Sequence, residues 1–177
     1  MNITVTDEGA LRGRIALLSI EEAGPALAYK LYIPVRFQDE AATLSIDLRH
    51  PEVRSWRGLI HRRYLFNEST ARHAKSDGQA YVMDDVFGDL RTKTGWYDTF
   101  ITAVQFGGET NGQLDVEIQG TIRQQGVSSP FAVSAKVKVE GVTLEGEFKN
   151  AAQRLLDLEH YQPLQVIDGA GKYEPRF

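Results

Sequence analysis

The chain contains no cysteine, which removes disulfide frameworks, thiolate metal sites and a cysteine nucleophile from consideration. Long apolar runs are missing too: no stretch approaches the ~20 residues that a membrane-spanning helix needs. Asp7 and Glu8 stand where a secretory leader would carry a basic start and an apolar run. A soluble cytoplasmic protein is the expectation, with no membrane partner. The strong catalytic signatures are equally absent. No serine lies in a G-x-S-x-G context and no H-E-x-x-H occurs. Gly169-Ala170-Gly171-Lys172 has the end of a phosphate loop, but the first glycine that G-x-x-x-x-G-K requires is absent and Tyr173 replaces its Ser or Thr, so it reads as a turn.

Histidines are few and scattered. His50, His61, His73 and His160 include no pair at i, i+2 or i, i+4, so no local pair can grip a metal. Asp84, Asp85, Asp89 and Asp98 form the one local carboxylate cluster. On a strand Asp84 and Asp85 would point to opposite faces, and a loop of solvated acids is the simpler expectation. No catalytic residue, cofactor or metal is assigned.

What is present is an average globular composition, with 177 residues, 42% apolar and 25% charged. That length suits a single domain over 1–177. The net charge of −4 is unevenly spread. From Arg49 to Lys75 seven basic residues face Glu52 and Glu68, a local +5 that leaves −9 for the rest. Within that segment Arg54, Trp56, Arg57, Arg62, Arg63 and Tyr64 mix guanidinium groups with aromatics, a combination that stacks bases and neutralises phosphates. The competing expectation is a helix whose apolar stripe packs on a sheet while its arginines fan into solvent.

Alternating apolar residues dominate elsewhere. Leu11, Ile15 and Leu17 mark a first strand. Leu27, Tyr29, Leu31, Ile33, Val35 and Phe37 keep a period of two, and Leu44, Ile46 and Leu48 follow. Asp39-Glu40 is read as the turn between the last two. Pro34 lacks a ladder donor, which places an edge or a bulge there. Phe100, Val104 and Phe106 lead through the turn-forming residues 107–112 into Leu114, Val116, Ile118 and Ile122, a hairpin. Over 131–148 the apolar set moves from odd to even numbers across Glu140-Gly141. This predicts a second hairpin, with Val139 facing Val142 and Lys136 facing Glu145. A further strand is expected over Tyr81–Phe87 and an exposed loop over 67–79.

Two helices are expected. One opens at Asn150, as a cap for AAQRLLDLEHY, and stops before Pro163. The other spans Pro51–Phe66, where Val53, Trp56, Ile60 and Tyr64 lie at helical spacing. A strand with Trp56, Ile60, Tyr64 and Phe66 on one face is its alternative.

Together these predict a mainly β fold: an antiparallel β-sandwich or partly open barrel of about eight strands with one or two covering helices. The leading functional expectation is a non-enzymatic interaction protein, of the inhibitor or immunity type, that binds another protein or a small anion. A barrel-like small-molecule binder or enzyme with an aromatic-lined cavity (Tyr29, Tyr32, Phe37, Tyr81, Phe100, Phe106) is the alternative. RNA binding through residues 49–75 stands third. Oligomeric state is left open.

Overall fold

A computed structural model describes residues 2–18, 24–49, 51–66, 86–145, 149–168 and 170–177. The strands are β1 (Ile3–Val5), β2 (Gly9–Ala16), β3 (Ala26–Phe37), β4 (Glu40–Arg49), β5 (Arg63–Leu65), β6 (Val86–Thr92), β7 (Trp96–Thr110), β8 (Gln113–Gln124), β9 (Val127–Leu144), β10 (Gln165–Ile167) and β11 (Ala170–Tyr173). One helix, α1 (Lys149–Leu155), and 3-10 turns at Trp56–Leu59 and Leu158–His160 complete the described elements.

All eleven strands belong to one sheet, so the fold is mainly β but not a two-sheet sandwich, and it has more strands than the pattern predicts. β2 pairs antiparallel with β3 on one edge and parallel with β9 on the other. The path β2-β3-β4-β6-β7-β8-β9 therefore returns to its start, and the hydrogen bonding closes into a ring. Seven strands cannot alternate direction all the way round; one neighbouring pair must be parallel, and β2/β9 is that pair. Closure of this kind removes the open edges of the ring strands.

Period-two patterning sets which side chains face in. Leu27, Tyr29, Leu31, Ile33, Val35 and Phe37 of β3 are all buried in one cluster with Leu44, Ile46 and Leu48 of β4 and Leu114, Val116, Ile118 and Ile122 of β8. Three two-residue turns have both central residues at positive φ, as right-twisted hairpins prefer. They are Gln38-Asp39 (50° and 64°), Asn111-Gly112 (52° and 80°) and Gln125-Gly126 (50° and 81°). The β7–β8 hairpin forms as predicted, with its turn narrowed to Asn111-Gly112. The β3–β4 turn lies one residue before the predicted Asp39-Glu40. Pro34 sits where the β1–β2 edge is interrupted: Thr6 N donates to Pro34 O at 3.0 Å. The donor that proline lacks faces that same junction.

The predicted hairpin at Glu140-Gly141 does not form. β9 runs through that point as one strand, with Gly141 at φ +95° and Glu140 outside the positive-φ residues. Leu11 pairs with Val139 and Gly13 with Val142, so two steps on β2 match three on β9. This extra residue is a β-bulge, and it moves the apolar set from odd to even numbers as a turn would. A Cβ at Gly141 would run into the carbonyl oxygen of Tyr173 on the adjoining strand β11. Lys136 pairs with Asp115 at 2.7 Å rather than with Glu145, which lies 3.8 Å from Arg14.

The helical expectations also change. Residues 51–66 hold only the turn Trp56–Leu59 and then β5, which pairs with Ala103–Gln105 of β7. Glu52 (φ 50°) and His61 (φ 60°) bracket the turn in left-handed conformation, which a continuous helix cannot contain. Of the strand alternative, only residues 63–65 are strand. Asn150 lies inside α1 rather than capping it, and the helix ends at Leu155, with a separate 3-10 turn beyond. The predicted 67–79 loop, the strand segment 81–85, Asp84, Asp85, His50, His73, Arg72, Lys75 and residues 146–148 lie outside the described residues.

Candidate binding surface at the cap of the ring

Residues 51–66 close one end of the ring. Val53, Trp56, Leu59 and Tyr64 are buried in the same cluster as the strands, together with Ala152 of α1, Leu156 just after it, and Tyr161. Gly58 permits the tight fold of this segment, since a Cβ there would come within 2.8 Å of the Val53 side chain. Beyond the 3-10 turn, residues 61–66 are laddered to β7: His61 N to Gly107 O (3.2 Å), Phe106 N to Arg62 O (2.9 Å) and Phe66 N to Thr102 O (2.9 Å). Ser55 Oγ and His160 Nδ1 meet at 2.8 Å and tie the cap to the segment after α1.

Buried phenols anchor the cap. Tyr64 donates to Pro51 O at 2.7 Å, and Tyr29 and Tyr161 share a 3.0 Å hydroxyl contact. Burial pushes the Tyr64 phenol up to about 12, with nearby Arg62 opposing the rise. Tyr161 is likewise raised to about 12 by burial, against hydrogen bonds from Tyr29 and the Trp56 backbone. Tyr29 is raised well above its ordinary value, chiefly by burial and then by Tyr161. In each case the neutral phenol is the form that the fold favours.

The six residues predicted as a binding set divide into two groups. Trp56 and Tyr64 are core residues and offer no open face for stacking. The four arginines lie around them. Arg54 donates to Leu156 O (3.2 Å) and Gln153 O (3.4 Å) at the end of α1, where helix carbonyls lack partners, and sits 3.5 Å from Asp157. Arg57 lies over the Trp56 ring at 4.7 Å and donates to Arg176 O at 3.2 Å. Arg62 donates to Glu52 O at 3.4 Å. Arg63 is exposed on β5, opposite Gln105. Among the described residues no carboxylate lies within ion-pair distance of Arg57, Arg62 or Arg63. Carbonyls orient two of these guanidinium groups without cancelling their charge.

Ser55, His160, Tyr161, Arg176 and Phe177 also build this surface, and residue spacing does not reveal them. About a hundred residues separate the halves of these contacts, and a local pattern cannot pair them. A groove of about 820 Å³ is lined by Asp7, Glu8, Asp115 and Glu117, with Lys136 already paired to Asp115, and it reaches Gly107, whose carbonyl accepts from His61 N of the cap. Asp89 lies opposite Asp98 across β6–β7. Among the described residues no group of three or more His, Asp or Glu side chains could hold a metal. Nor is any described helix long and apolar enough to cross a membrane. Searches against protein families, curated proteins and solved structures find no match for this chain.

Proposed function

We propose that this chain is a non-enzymatic, cytoplasmic binding protein, of the kind used as inhibitors or immunity partners, and that its cap docks on an acidic protein surface. One observation carries the reading: Arg57 and Arg62 are held by the carbonyls of Arg176 and Glu52 instead of by carboxylates. Guanidinium groups oriented in advance but not neutralised lose little freedom on meeting a carboxylate, and they form charge-assisted pairs with it. Buried Trp56 and Tyr64 give the surface a rigid base. The small-molecule alternative has less support, because Tyr29, Phe37 and Phe106 belong to the core cluster and none of them lines a groove among the described residues.

Poly-glutamate and a single-stranded RNA, each titrated at low and moderate salt, test this reading. Poly-glutamate binding that weakens with salt, and falls about tenfold or more on combining Arg57→Ala, Arg62→Ala and Arg63→Ala, is the expected result. Preference for the RNA with a steep salt slope would replace the protein partner by a nucleic acid. Binding of neither at low salt would overturn the proposal.

A further inference from the structure

The segment Glu174–Phe177 crosses the cap as a strap. Gln162 N donates to Glu174 O at 2.8 Å, Pro175 bridges to Tyr161, and Arg176 N donates to His160 O at 2.9 Å. Beyond these bonds the Phe177 ring lies 5.2 Å from the Trp56 ring, tilted by 52°, and against Gly112 of the β7–β8 turn. Gly112 sits at φ +80°, and a Cβ there would come within 3.2 Å of the Phe177 ring. Bare backbone thus makes room for an aromatic. Phe177 nevertheless remains 60% exposed, so its contact with Trp56 leaves most of the ring in water. Trp56 itself is fully buried, and its indole N–H has no partner among the described residues.

We infer that this site is self-occupied: Phe177 and the Arg176 carbonyl hold the places of an aromatic side chain and a carboxylate from an acidic partner segment. The inference rests on the cap reading above and names what the partner must carry. Arg57 links the two halves of the argument, because it stacks on Trp56 and takes the Arg176 carbonyl as its acceptor. Replacing that carbonyl by a carboxylate exchanges a bond to a neutral acceptor for a charge-assisted one. An incoming ring at the Phe177 position restores the contact with Trp56. The Gln162 N–Glu174 O bond remains as the hinge, while Arg176 gives up its bond to His160 O and moves aside with Phe177. While they stay in place, the competent fraction of the surface, and with it the apparent affinity, is reduced.

Two short acidic peptides of Asp and Glu, one with a central Phe and one with a central Ala, test this. Trp56 emission is read in a Trp96→Phe background, since the other tryptophan, Trp96, is 64% exposed and would mask it. The Phe peptide is expected to bind about two- to tenfold more tightly than the Ala peptide. Phe177→Ala should shift Trp56 emission to the red and strengthen Phe-peptide binding several-fold, and the bound peptide should reverse the shift. Arg57→Gln keeps the Phe177 side chain in the sequence and should weaken both peptides, so the site can be probed even if Phe177→Ala proves unstable. Equal affinities for the two peptides, unchanged by Phe177→Ala yet still salt-dependent, would overturn the self-occupied site and leave the cap reading standing. No binding of either peptide to wild type or Phe177→Ala would overturn both.

Discussion

In the meander β7–β9, side chains of alternate residues face the interior and the backbone is paired along nearly its whole length. Residues 51–65 hold two buried aromatics on a backbone with one 3-10 turn and a three-residue strand. The meander holds its shape by regular ladders between neighbours in sequence. The cap holds its shape by fitting Trp56 and Tyr64 into a space that other segments create. Loss of a single side chain is therefore shared among many contacts in the first region and concentrated in the second.

Three measurements press on that contrast. Trp56→Ala should have the largest effect, costing about 3–5 kcal/mol in thermal or denaturant unfolding, because a fully buried ring leaves a cavity that the 3-10 turn cannot fill. A loss below about 1 kcal/mol would show that the cap collapses around the gap and does not depend on fit. Alkaline unfolding comes next. Tyr64 and Tyr161 have folded values of about 12, above the ordinary 10, so their contribution is fully present below pH 10 and is lost as pH rises towards 12. Each phenol accounts for up to about 3 kcal/mol of that loss. The phenolate absorbance that Tyr64→Phe and Tyr161→Phe remove should appear together with unfolding; if those two phenols ionised at pH 10 in a folded chain, the burial described for the cap would be contradicted. The smallest effect is expected in the meander. Lys136→Ala removes the exposed 2.7 Å pair with Asp115 and should cost less than about 0.5 kcal/mol by denaturant titration.

Legibility in the residues follows the same division. Inward faces of β3, β4 and β8 were readable because a period of two is a local property of extended chain. Asn111-Gly112 was readable because glycine and asparagine tolerate positive φ. The hairpin at Glu140-Gly141 was misread for a definite reason: a two-residue turn and a one-residue bulge shift the apolar phase identically. Only the neighbours β2 and β11, which flank residues 142–144, distinguish them. The cap was misread because Val53, Trp56, Ile60 and Tyr64 satisfy helical spacing by coincidence. Left-handed Glu52 and His61 stop the helix, and nothing in those two residue types announces it. Of the candidate site, the arginines and their excess charge were visible in the chain. Their carbonyl partners, Arg176 among them, and the Phe177 ring against Trp56 were not.

The sequence by itself determined that the protein is mainly β, which side chains of most strands face inwards, where the tight hairpin of β7 and β8 turns, and that positive charge gathers in one segment. Each of these depends on residues within a few positions of one another. Tertiary structure alone decided that β2 joins β9 in parallel and closes seven strands into a ring, that the bulge at Gly141 replaces a turn, and that Trp56 is sealed beneath Arg57 and Phe177. Those outcomes depend on which distant segments meet. Strand edges present the same N–H and C=O groups whatever their side chains, so local pattern cannot choose among partners; packing of the whole chain does.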